Sequence, residues 1–117
     1  MGMINKQLFN TMKNLIESQL ENYPYFQIAV ETPVSEIDAE NLIKDKAIIE
    51  YRKSVVNAVK LVYERLDTES KFIIENAYFR NINSRDEVIS QLKISKNKYY
   101  SNKNSALMKF GIAFGML

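Results

Sequence analysis

The sequence predicts an all-α protein, with an N-terminal helical hairpin or long-helix extension (residues 1–62) and a C-terminal helix-turn-helix domain (residues 63–117). Three observations lead there. Neither proline nor glycine occurs between Val34 and Phe110, so almost nothing interrupts a helix over that stretch. Apolar residues recur at helical spacing in each segment, and 46% hydrophobic content is enough for a buried core. The charge is also sorted along the chain. From Val88 to Leu117 there are five lysines and no Asp or Glu, so the preceding 87 residues hold the other 11 bases and all 14 acids.

The first helix is expected from Ile4 to about Asn22, with Leu8, Met12, Leu15, Ile16 and Leu20 on one face. Tyr23-Pro24 should end it, because proline lacks the N–H that continues the ladder and restricts the residue before it. Tyr25 to Val30 is ambiguous between a strand and a helical turn, with an apolar linker packed over the core the preferred reading. Pro33 breaks the chain again, and Ser35 or Asp38 can cap a long second helix. Leu42, Ile49, Val56 and Tyr63 repeat every seven residues, joined by Ile48, Val55, Val59, Val62 and Leu66. That face runs for about 28 residues, roughly 40 Å. Asp45 and Arg52 interrupt its seam, which favours packing on the rest of the chain over a coiled coil.

Asp67 or Thr68 caps a third helix that turns Phe72, Ile73, Ile74, Ala77 and Tyr78 inward, and Asn81-Ile82-Asn83 forms a loop. Ser84 and Glu87 stand in the S-x-x-E relation of a capping box, and the fourth helix buries Val88, Ile89 and Leu92. Lys93-Ile94 makes a turn, and Ser95 caps the fifth helix. Tyr99, Ala106 and Phe110 lie on its buried side, with Leu107 near the edge. Asn102 falls where a side chain is partly buried, and should cap a backbone group or touch a neighbouring helix. The apolar tail Gly111 to Leu117 is expected to fold onto the third helix.

A positive helix pair free of acids suits approach to a polyanion. With Tyr99, Ala106 and Phe110 inward, Lys96, Asn97, Tyr100, Ser101 and Asn104 face outward. In a helix-turn-helix the second helix enters the major groove with its N-terminal residues leading. Lys96 can reach guanine O6 and N7, and Asn97 an adenine edge. Arg85, Lys98, Lys103 and the amides behind Ser95 suit phosphates, and Tyr100 a thymine methyl or a phosphate. Stacking of single-stranded bases on Tyr99-Tyr100 is the weaker alternative, since one ring is needed for the core.

Enzymatic function is not expected. There is no His and no Cys, and we find neither a Gly-rich phosphate loop nor a carboxylate pair set apart from ordinary surface charge. No metal and no cofactor are expected. No segment has the length or continuity of a membrane span, which points to a cytoplasmic protein.

Leu66, Ile73-Ile74, Tyr78, Glu87-Val88-Ile89, Leu92, Ile94-Ser95, Tyr99-Tyr100 and Ala106-Leu107 together resemble the region-4-type helix-turn-helix of sigma factors. The pattern is closer still to phage regulators of the ArpU and RinA type. The resemblance covers about residues 63 to 111. A shorter likeness, Ile16-Glu17 with Leu20-Glu21-Asn22-Tyr23, is similar to the N-terminal helix of RinA-like regulators. It implies a phage- or prophage-encoded transcription regulator of late (packaging and lysis) genes, with DNA contacts at Lys96, Asn97, Tyr100 and Ser101. Asn102 stands where the family usually has Leu or Ile. Lys93 replaces a frequent glycine, which implies that the turn residue need not be left-handed. Double-stranded DNA is thus the expected partner. RNA polymerase, bound through the long apolar helix, is the alternative, as is a role in phage DNA packaging. A homodimer would form through the first or second helix.

Overall fold

The structure, a computed structural model, describes residues 6–31 and 39–117, with side chains from Lys46 onward in the second stretch. The expected caps Ser35 and Asp38 lie outside the described residues, as do the side chains of the seam positions Leu42 and Asp45. The protein is all-α. Helix α1 spans Lys6–Glu31, α2 Ala39–Arg65, α3 Thr68–Ile74, α4 Arg85–Leu92 and α5 Lys96–Ala113. A π-helical turn, Glu75–Phe79, extends α3.

Helix α1 does not stop at Pro24. It runs through the proline to Glu31, so the stretch read as a linker is helical. A mid-helix proline forfeits one backbone hydrogen bond and crowds the preceding turn, at a cost of about 3 kcal/mol. Aromatic packing on both sides of it offsets that loss. The Tyr23 ring lies 4.9 Å from Phe79, and Phe26 meets Tyr51 edge-on at 6.1 Å. The guanidinium of Arg52 sits 5.9 Å from the Phe26 ring.

The inward face of α1 is also rotated from the expected one. Phe9, Ile16 and Leu20 are buried, with Met12, Tyr23 and Phe26 partly so, whereas Leu8 and Leu15 are 39% and 54% exposed. Adjacent pairs (Leu8-Phe9, Leu15-Ile16) offer two overlapping stripes about 100° apart, and both satisfy helical spacing. The core takes the stripe that includes the aromatic ring.

Helix α2 buries Val55, Val56, Val59 and Val62, with Leu66 just beyond its end, while Ile48 is 47% exposed. Its apolar face is thus used within the chain. One core cluster joins α1 (Phe9, Ile16, Leu20), α2 (Val55, Val59, Val62), Ile74, Tyr78 and α5 (Ala106, Leu107, Phe110). Residues before and after position 62 share it. Leu107 is fully buried rather than at an edge, because α1 covers that side of α5.

Asp67 is the N-cap of α3, its carboxylate accepting from the Ser70 amide at 2.7 Å. That hydrogen bond holds the Asp67 carboxyl below its ordinary pKa. A depressed folded-state pKa contributes stability above the ordinary carboxyl range, and the contribution is lost as pH falls through the lowered value. Asp67→Ala should therefore cost about 1 kcal/mol at neutral pH. In chemical denaturation the gap from wild type should close as the solution is acidified below the carboxylate range.

Two further backbone features shape the C-terminal half. Lys93, at the C-cap of α4, has φ 56° and ψ 44°, the left-handed conformation that its identity argued against. Its amide reaches the carbonyls of Ile89 and Ser90, and Ile94 N–H reaches Ile89 O at 3.3 Å. Two satisfied carbonyls at the helix end hold a lysine where glycine carries no steric penalty. Lys93→Gly should raise stability by about 1 kcal/mol, seen as a higher denaturation midpoint with unchanged slope.

Gly115 (φ 75°) closes α5 in a Schellman arrangement, with Met116 N–H on Gly111 O at 2.9 Å. The apolar tail does fold back on the protein, but onto α1 and α2 rather than α3. Phe114 and Met116 lie beside Gln19, Tyr51 and Val55. A side chain at Gly111 would come within 2.7 Å of Ile16 and Leu117, so glycine permits this close approach.

Candidate nucleic-acid interface

The chain segment from α4 to α5 is built from local sequence signals that all appear in the structure. The Ser84 hydroxyl accepts from Glu87 N–H at 3.2 Å, and the Glu87 carboxylate accepts from Ser84 N–H at 3.3 Å, completing the capping box. Three residues, Lys93 to Ser95, separate α4 from α5. The Ser95 hydroxyl accepts from Lys98 N–H at 3.0 Å and so caps α5. A satellite core of Ile73, Val88 and Tyr99, flanked by Phe72, Ile89, Leu92 and Ile94, fixes α4 and α5 against α3. The first two turns of α5 are consequently presented on a rigid frame.

On that frame the structure brings together Lys96, Asn97 and Ser101, all exposed, with Tyr100 half-buried beside them. Arg85 joins the group from α4. Its guanidinium donates to the Tyr100 hydroxyl at 2.7 Å and lies 5.9 Å from the ring centre. It also pairs with Asp86 at 3.2 Å. The hydrogen bond from Arg85 lowers the Tyr100 hydroxyl below its ordinary pKa and raises the guanidinium's own. Tyr100 thus arrives with its ring oriented and a cation beside its oxygen.

Lys98 is turned toward α3, its ammonium 3.5 Å from a Glu69 carboxylate oxygen. The same oxygen accepts from the Asn102 amide at 3.2 Å, which is the neighbouring-helix contact expected of Asn102. Both side chains of the ion pair are well exposed, and such pairs contribute only about 0–1 kcal/mol. A phosphate can therefore compete with Glu69 for Lys98.

Lys103 stands apart. Its ammonium packs 5.4 Å from the Tyr78 ring and 5.9 Å from Tyr99, on the inward flank of α5. Tyr78 in turn donates to the Glu17 carboxylate at 2.7 Å, so this corner ties α1, the π-helical turn and α5 together. Asn104 lies on the outward strip but is half-buried, its Oδ1 enclosed and without a hydrogen-bond partner. It borders a groove shared with the first turns of α1, which thus bounds the open face of α5.

Sequence reasoning did not place α1 at this face, nor Glu69 as the partner of Lys98. Only tertiary packing does so, and no local pattern signals it. Among the described residues, no helix is long and apolar enough to cross a membrane. Compared with known proteins, the chain matches no protein-family model, no curated protein and no solved structure.

Proposed function

We propose that the protein is a sequence-specific, double-stranded-DNA-binding transcription regulator of phage type that reads bases with the start of α5. The observation that carries this is the make-up of the exposed first two turns of α5. Lys96, Asn97, Tyr100 and Ser101 project there behind a capped three-residue turn, and α5 itself contains no acid. Lysine and asparagine at the leading end of a helix supply donors matched to guanine and adenine edges. Arg85, the amides behind Ser95, and Lys98 released from Glu69 supply phosphate contacts.

The test is fluorescence anisotropy on a duplex from the protein's own genomic neighbourhood and on a scrambled duplex, between about 50 and 200 mM salt. Engagement of about four phosphates gives a log–log salt slope near −3.6, or roughly a hundredfold loss of affinity over that range. Tighter binding to the native duplex supports a sequence reader. Absence of binding at the lowest salt removes the proposal. A packaging role would appear instead as preference for a packaging site with promoter output unchanged.

Docking on RNA polymerase through the long helix has less support. The inner side of α2 is occupied by the chain's own core, and among its described side chains the exposed large apolar ones are Ile48, Tyr51 and Leu61. A homodimer through α1 or α2 would draw on the same three together with Leu8, Leu15, Tyr25 and Ile28.

A further inference from the structure

We infer that the groove between the N-terminal turns of α1 and the second half of α5 is a phosphate-binding clamp that extends the DNA interface beyond the reading turns. This rests on the DNA-binding proposal and adds a second contact region to it. The groove has a volume of about 370 Å³. Lys6 and Asn10 line its rim from α1, and Asn104, Ser105 and Lys109 from α5, over an apolar floor of Phe9, Met108 and Ile112. Among the described residues no carboxylate lines it, and α1 carries no acid before Glu17. Two lysines from different helices, with amide and hydroxyl groups between them, match an anionic strand that offers only acceptors. Asp67 lies within electrostatic range of Lys109, but its carboxylate is committed to capping α3.

Position along α5 decides which anion. Ser101, the last reading residue, and Lys109 are eight residues apart, about 12 Å along the axis. The major groove is also about 12 Å wide. A helix whose first turns rest on base edges therefore carries its second half out over the flanking sugar-phosphate strand. Lys109 arrives there on α5 itself. Lys6 arrives because α1 packs across α5 through Phe9, Ile16 and Leu107. The bases would be read by one helix, and the flanking strand held by two.

The experiment uses the full chain, with Lys6→Ala, Lys109→Ala and the double variant, in the same salt titration on both duplexes. Lys6→Gln and Lys109→Gln serve as size-conserving companions, with helical circular dichroism to verify the fold. Each single variant should weaken binding to both duplexes alike and reduce the salt slope by about 0.9, the double by about 1.8. The ratio of affinities between the duplexes should not change. A double variant with the wild-type slope, while Lys96→Ala still weakens binding, overturns the clamp and leaves the reading face standing. A reduced slope in a protein that shows no preference between duplexes supports the clamp and counts against base reading. A wild-type protein that binds neither duplex removes both.

Discussion

Phe110→Ala should lower the melting temperature by on the order of 15 °C, the largest stability loss expected of any single truncation in this chain. Phe110 is fully buried, at the point where α5 meets α1 and α2, and its ring stacks on Phe114 at 6.3 Å. Truncating a buried phenylalanine removes its transfer free energy and leaves a cavity that the surroundings only partly fill. The two effects together cost about 3–5 kcal/mol. A domain of this size has about 5–15 kcal/mol in total, so about a fifth or more of the stability is at stake. Leu15→Ala is the control. It deletes the same kind of apolar surface from α1 but from a side chain that is 54% exposed, and should change stability by no more than about 0.5 kcal/mol. Urea denaturation of the two variants beside wild type makes the measurement. A Phe110→Ala loss under about 1 kcal/mol would mean that the end of α5 is not docked in the core. A Leu15 cost equal to that of Ile16→Ala would mean that α1 is rotated from the position seen.

That comparison also separates what local sequence conveys from what packing decides. The α4–turn–α5 segment was legible because its signals are short-range. Ser84 with Glu87, and Ser95 with the Lys98 amide, each join residues three apart, and their hydrogen bonds form wherever the helix forms. The C-terminal half of the α2 face was legible for a similar reason, since Val55, Val56, Val59 and Val62 fall on one side of two consecutive turns, whereas Ile48, earlier in the same pattern, is exposed.

Helix α1 was harder, because what sets its path does not lie in α1. Proline at position 24 argues locally for a helix end. The rings that outweigh it, Phe79 and Tyr51, come from distant parts of the chain. The choice between the Leu8-Leu15 stripe and the Phe9-Ile16 stripe likewise depends on what lies opposite. Lys93 shows the converse error. Its side chain suggested an ordinary backbone, but the carbonyls of Ile89 and Ser90 impose the left-handed turn on whichever residue follows Leu92. The candidate interface divides in the same way. Lys96, Asn97, Tyr100 and Ser101 follow from the helical wheel of α5 alone. The withdrawal of Lys103 onto two tyrosine rings and the arrival of Lys6 beside Lys109 depend on where α1 and α3 pack.

Lys96→Ala and Asn97→Ala should each collapse the preference for the native duplex over the scrambled one, by roughly 5- to 150-fold. The range corresponds to about 1–3 kcal/mol for one bidentate side chain–base pair. Both side chains are exposed on the first turn of α5, so the helix and its Ser95 cap should survive their loss. Lys98→Ala makes the contrast. It lies in the same turn, but its ammonium is directed along α3 toward Glu69, and it should weaken binding to both duplexes equally while reducing the salt slope by about one. A phosphate contact and a base contact thus leave different signatures on two axes, slope and selectivity, although the residues are one or two positions apart. Tyr100→Phe adds a third signature. It removes the hydroxyl that accepts from Arg85, freeing the guanidinium to move without changing the charge of the face. If Arg85 is a phosphate ligand positioned by Tyr100, affinity should fall on both duplexes while the salt slope stays at its wild-type value. Equal loss on both duplexes from Lys96→Ala and Asn97→Ala would demote the first turn of α5 from reading bases to holding the backbone. Wild-type affinity and selectivity in all three lysine and asparagine variants would move the DNA-binding surface off this helix altogether.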